Sequence, residues 1–246
     1  MTGGIIMNNK LLFDIHLIKN DNKIGKLIQN DEQHKLTVSI SKRCNYANLD
    51  FTTRESLYDF ALSLLHTAIY CKKIQKKYIP IKDNCGNLIA KDGIRLSSDS
   101  CDLIISVTHQ QSEKELSANF VLTEDIDDNF FDEKVDDLTY DNEKHLLKVS
   151  VNKEKNYALL LFTTREMLYD FAVALLSDVI NGEVARECLP DCYIDENGRR
   201  YFLYGMALDS ARLFIFVNDN DEIGCNNEYD EKKVLEKIKK ICAVNG

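Results

Sequence analysis

At 246 residues, with 44% apolar and 29% charged side chains, the chain can bury one large core or two of ordinary size. No stretch approaches the eighteen or so apolar residues needed to cross a bilayer, so no membrane partner is expected. The net charge of -9 is uneven: residues 1–118 carry 16 Lys+Arg against 13 Asp+Glu, and residues 119–246 carry 15 against 27, which disfavours nucleic acid as a ligand of the second half.

The opening MTGGIIMNNK shows no basic region leading into a hydrophobic run and a small-residue cleavage site, so the expected compartment is the cytoplasm. LLFDIHLI, around Phe13, has the length and branching of a strand. KLTVSISK (residues 35–42) alternates apolar and polar side chains, the mark of a half-buried strand, and YANLDF follows as another. Thr52 with Glu55 three residues later predicts a capping box at the start of a helix. Leu57, Phe60, Ala61, Leu64, Leu65, Ala68 and Ile69 then fall on one face of it, over about four turns. Arg54 and Tyr58, at i and i+4, place a guanidinium over a phenol ring at the edge of that stripe and shield the core rim. Asp59 is expected to face solvent. After the basic run CKKIQKK, the segment IKDNCGN (residues 81–87) reads as a hairpin tip, and DSCDLIISV (residues 99–107) as a buried strand. HQQSEKELS (residues 109–117) is polar and without period, as a linker is.

Beyond that linker the chain repeats itself. NYANLDFTTRESLYDFALSLLH (residues 45–66) recurs as NYALLLFTTREMLYDFAVALLS (residues 156–177), at an offset of 111. Thr163 and Glu166 repeat the capping box, Arg165 and Tyr169 the rim pair, and Asp170 the solvent-facing acid. Leu168, Phe171, Ala172, Leu175, Leu176, Val179 and Ile180 repeat the stripe. Upstream, Glu32, His34, Leu36, Val38 and Ser39 match Glu143, His145, Leu147, Val149 and Ser150; downstream, DSCDLIISV matches DSARLFIFV (residues 209–217). The expectation is an α+β chain of two tandem duplicated domains, residues 1–117 and 118–246. Each is an antiparallel sheet with one long amphipathic helix on one face, and an added C-terminal helix lies in NEYDEKKVLEKIKKICAVNG.

Groups suited to catalysis are sparse. There is no Gly-rich phosphate loop, no GxSxG and no HExxH. Of the five histidines only His34 and His145 recur, each in a polar turn before a strand; hydrogen bonding to backbone accounts for them better than acid–base work with Glu32 or Glu143. None of the 8 cysteines has a cysteine counterpart in the other copy. Cys188 and Cys192 are the one close pair, without a second Cys or His pair at zinc-site spacing, so reduced thiols and no metal or cofactor are expected.

The copies differ most in TEDIDDNFFDEKVDDLTYDNE (residues 123–143), with 10 carboxylates and one Lys. Asp125, Asp127, Asp128, Asp132, Glu133, Asp136 and Asp137 are interleaved with Phe130 and Phe131, unlike a plain disordered tail, which suits docking of a basic protein and equally suits an acidic solvated loop that aids solubility. DIDDN lacks the Gly and terminal Glu of an EF-hand loop.

The strand leading into FTTRESLYDFALSLL, or FTTREMLYDFAVALL, resembles small bacterial immunity proteins, α+β proteins that neutralise a toxin by blocking it. About 25 residues of each copy carry the likeness, and they are scaffold positions, so no binding residue is carried over. The two-copy length departs from that family's usual single domain. The resemblance implies a non-catalytic inhibitor whose acidic surface meets a basic toxin or effector. Two alternatives stand beside it: a nucleic-acid mimic with carboxylates spaced like phosphates, and an enzyme with a cleft between the copies.

Overall fold

The computed structural model describes residues 10–14, 34–92, 94–112, 115–116, 119–123, 144–183, 185–194, 196, 198, 200–202 and 205–218. The architecture is α+β. In chain order the strands and helices are β1 (Lys10–Asp14), β2 (Leu36–Ser41), β3 (Tyr46–Phe51), α1 (Arg54–Tyr70), β4 (Gln75–Tyr78), β5 (Ile81–Lys82), β6 (Leu88–Ile89) and β7 (Asp102–His109). The second half follows with β8 (Asn119–Thr123), β9 (Leu147–Asn152), β10 (Tyr157–Thr164), α2 (Arg165–Asn181), β11 (Ala185–Cys188), β12 (Cys192–Ile194), β13 (Arg200–Phe202) and β14 (Arg212–Val217). The expected C-terminal helix lies outside the described residues.

The sheets do not follow the expected division. One four-stranded sheet runs β4-β7-β10-β9 and the other β11-β14-β3-β2, so each takes two strands from either side of residue 117. Neither is purely antiparallel. β7 runs parallel to β10, with Asp102 opposite Tyr157, and β14 runs parallel to β3, with Arg212 opposite Tyr46. β1 and β8 also pair across the halves, Phe13 opposite Phe120. The reason is geometric. Between α1 and β7 the chain passes along the outer edge of its own hairpin, where Leu36 N–H donates to Arg95 O and Cys101 N–H to Val38 O. β7 therefore leaves on the far side and completes the other half's sheet. Residues 206–211 edge β9 in the same way, through Ala207 N–H to Leu147 O and Ala211 N–H to Val149 O. Ser100 and Ser210 accept the N–H groups of Val38 and Val149 at these edges, which explains the Asp-Ser pair found in both halves. A single hydrophobic core results, drawing Phe51, Phe60, Leu103 and Ile105 from one half and Phe162, Leu168, Leu213 and Ile215 from the other.

The tip at residues 81–87 is where sequence placed it, and two further tight turns lie at Asn45 and Asn156. Asn45 and Asn156 adopt the left-handed φ of 51°, which Asn tolerates better than most residues, and each offers its carbonyl to the parallel strand alongside, at Arg212 N–H and Asp102 N–H. Asp83 closes the β5–β6 tip by accepting from Cys85 and Asn87 N–H at 2.8 Å.

The helix caps fall one residue later than expected. Thr53 and Thr164 are the N-caps, accepting from Ser56 and Met167 N–H at 3.2 Å. Thr52 is committed elsewhere: it accepts from Lys35 N–H at 2.7 Å and donates to Lys35 O, extending the β2–β3 pairing. Thr163 does the same with Leu146 N–H at 2.6 Å. Ser56 completes the capping box of α1 by accepting from Thr53 N–H, while Met167 at the matching place has no hydroxyl to return the bond. The predicted stripe is buried on both helices, except that Ile69 is partly buried and the Ile180 side chain is not described. Asp59, expected in solvent, is 0% exposed and Asp170 is half-buried, because α1 packs along α2 as well as against its sheet.

The two arginines of the repeated block each reach the C-terminal end of the other half's helix. Arg165, 8% exposed, sends Nη1 to Ala68 O at 2.9 Å, Nη2 to Cys71 O at 2.7 Å and Nε to Gln110 O at 2.9 Å. It thus caps the C-terminus of α1, where carbonyls lack helical partners and the dipole is negative. Arg54 reaches the opposite end, with Nη2 on Gly182 O at 2.8 Å. Gly182 takes φ +78°, and a Cβ there would lie 2.9 Å from Arg54 Nη1, so both the turn and the arginine require glycine.

Candidate functional site

The expected partner-binding residues Asp125, Asp127, Asp128, Phe130, Phe131, Asp132, Glu133, Asp136 and Asp137 lie outside the described residues. The described chain resumes at Lys144 and His145. Those two residues line a cleft that the sequence did not signal.

The cleft forms where the parallel strands β7 and β10 end together, with His109 opposite Thr164. Past β10 the chain enters α2 at once; past β7 it turns through Gln110, Gln111 and Ser112. The space between is about 770 Å³, and its lining also includes Thr108, Thr163 and Glu166. The lining residues are polar by type, with their aliphatic parts also facing the space. HQQSEKELS, expected as a linker, is tied down on this side. Gln110 Oε1 accepts from Ile74 N–H at 2.7 Å, its Nε2 donates to Val107 O, and its carbonyl holds Arg165. Ser112 Oγ donates to Glu166 Oε1 at 2.6 Å, and Glu166 is only 6% exposed.

His145 approaches from the β9 side. Its Nδ1 lies 2.7 Å from Thr164 Oγ1, which already accepts from Met167 N–H. Either partner can be the donor in this bond, since the hydroxyl oxygen keeps a second lone pair after accepting from Met167 N–H. His34 makes the matching bond to Thr53 Oγ1 at 2.6 Å, but is 8% exposed. The sequence pointed to backbone as the partner of both histidines; the partner is instead the hydroxyl of the helix N-cap. A usable signal was present, since each histidine stands 19 residues before its threonine. Glu32 and Glu143, the imagined acid–base partners, lie outside the described residues.

The Cys188 and Cys192 pair is separated in environment. Cys188 is buried in β11, while Cys192 is half-buried in β12. Cys44, Cys71, Cys85, Cys101, Cys188 and Cys192 are free thiols, and among the described residues no group of three or more His, Cys, Asp or Glu could hold a metal ion. Burial pushes the Cys188 thiol from its ordinary 9.0 up to about 11, opposed by the nearby Arg186 guanidinium. Arg186 itself is held charged: burial works against it, but its paired bonds to the Asp178 carboxylate outweigh that and raise its pKa. The folded chain binds the Cys188 proton more tightly than the unfolded chain, so this contribution to stability is intact below pH 9 and lost as pH rises through about 11. At pH 8 iodoacetamide should label the exposed Cys44 and Cys85 while Cys188 reacts about a hundredfold more slowly. Comparable labelling of all three in peptide mass maps would contradict the burial of β11.

Among the described residues no helix is long and apolar enough to cross a membrane. Neither a known protein family, nor a curated protein, nor a solved structure matches the chain.

Proposed function

We propose that this chain is a cytoplasmic, non-catalytic binding protein, built by duplication of one α+β unit, that neutralises a basic toxin or effector through its acidic segment at residues 125–137. One observation carries the reading. Side chains common to the two halves serve capping, edge pairing and packing, while the 10 carboxylates of residues 123–143, most of which lack a matching acid in the first half, run directly into Lys144 and His145 at the rim of the cleft. A dense negative segment next to an anchored scaffold edge raises the rate of encounter with a positive partner, and that rate falls with salt.

The test is capture from the native organism with the intact chain and with a variant carrying Asn or Gln at Asp125, Asp127, Asp128, Asp132, Glu133, Asp136 and Asp137. Recovery of one basic protein is expected, with association at least about tenfold slower for the variant at low salt, and the difference closing near 1 M salt. Equal association rates for both chains, or recovery of no basic protein by either, would sink the proposal.

A further inference from the structure

We propose that the cleft at the ends of β7 and β10 is a binding site for a small molecule bearing an oxyanion, a carboxylate or a phosphate group. The inference rests on the described wall of the cleft and needs no protein partner. Its size suits a metabolite, since about 770 Å³ falls within the range of small-molecule sites.

The polarity of the ligand follows from accounting for the lining groups. Thr163 Oγ1 accepts from Leu146 N–H and donates to Lys144 O, and Thr164 Oγ1 accepts from Met167 N–H and is hydrogen-bonded to His145 Nδ1. The Gln110 amide accepts from Ile74 N–H and donates to Val107 O. The Thr163, Thr164 and Gln110 side chains are thus engaged inside the wall. Among the described residues Glu166 brings the cleft's one carboxylate; Ser112 caps its Oε1, and it is nearly buried. The rest of the lining is the imidazole of His145, the exposed imidazole of His109, the Gln111 amide and the Thr108 hydroxyl, with the Lys144 ammonium adding positive charge at the rim. The first turn of α2 begins at the same place, so its dipole has the sign that favours an anion. The position also matches a general tendency of sheets with parallel strands, in which ligands gather outside the carboxyl ends of those strands.

The two halves supply an internal control. His34 makes the same threonine bond as His145 but is buried and does not line the cleft. The experiment follows the Cε1–H signals of His34, His109 and His145 by NMR in the full chain. Inorganic phosphate is titrated in one arm and acetate in the other, with chloride holding ionic strength constant. Saturable shifts at His109 and His145, with a Kd of about 1 mM or tighter and a stationary His34, are expected in at least one arm. The arm that saturates identifies phosphate or carboxylate as the ligand group. Lys144→Met should weaken binding about fivefold. Glu166→Gln should tighten it by a similar factor, because a negative charge leaves while the amide carbonyl still accepts from Ser112. An unmoved His34 signal in each variant certifies the fold. The proposal is overturned by failure to saturate in both arms, by equal movement of His34, or by Glu166→Gln weakening binding while Lys144→Met tightens it, the pattern of a cation site.

Discussion

Fragments 1–117 and 118–246, produced separately, are expected to remain unfolded as monomers and to assemble into one folded complex when mixed. The expectation rests on which strands pair. Alone, the first fragment retains the β2–β3 hairpin and the β4–β7 pair, but β3 has lost β14 and β7 has lost β10. Two central strands then expose their inner edges, each a row of unpaired N–H and C=O groups. The face that α1 turns toward α2 is uncovered as well, and that helix is apolar enough to bury Tyr58 and Leu62 outside the predicted stripe. A half chain thus loses parallel pairing and much of its core together, a deficit far above the roughly 5–15 kcal/mol that holds a domain folded. Circular dichroism of each fragment and of the equimolar mixture, with mass by light scattering, checks this. A stable, cooperatively melting monomer from either fragment would refute the exchanged pairing.

Arg165→Met is expected to cost about 4 kcal/mol. The arginine holds three carbonyls at the ends of two segments, the α1 C-terminus at Ala68 and Cys71 and the exit of β7 at Gln110. Hydrogen bonds from a charged donor contribute about 1.5–3 kcal/mol each, and their loss leaves buried carbonyls without that donor. Methionine fills much the same volume, so the loss reads out polar bonds more than packing. Arg165→Lys should recover less than half, because one ammonium lacks the planar fork that reaches carbonyls on separate segments. Urea unfolding should show a lower midpoint with an unchanged slope, and 1 M salt should leave the difference in place, since the acceptors are carbonyls and not carboxylates. A Met variant within about 0.5 kcal/mol of the parent would remove Arg165 from its structural role.

Much of the local structure was legible. Alternation in KLTVSISK and LLKVSVNK, the apolar stripe of each helix and the Asn- and Gly-containing tips all correspond to elements at those places. The misreadings share a cause, a distant partner. Thr52 and Thr53 are both competent caps by type, and the choice is made by Lys35 N–H, 17 residues away from Thr52. Asp59 looked solvated because a periodic pattern reports one buried face, whereas α1 has a second at α2. Arg165 looked like a partner for Tyr169, four residues on, because the carbonyls it reaches lie more than 50 residues away.

The cleft was invisible for the same reason. His109, Ser112, His145 and Glu166 are scattered through ordinary polar stretches, and only the parallel register of β7 and β10 brings them to one rim. By itself, the sequence determined which segments are strands and helices, which faces are apolar, and that two sets of elements recur at a fixed spacing, because backbone propensity and side-chain period are local properties. The tertiary structure alone decided that the halves exchange strands and that a polar cleft opens where they meet. An alternating strand fits any edge of matching pattern, and the choice among edges is made by the path of the connection that delivers it.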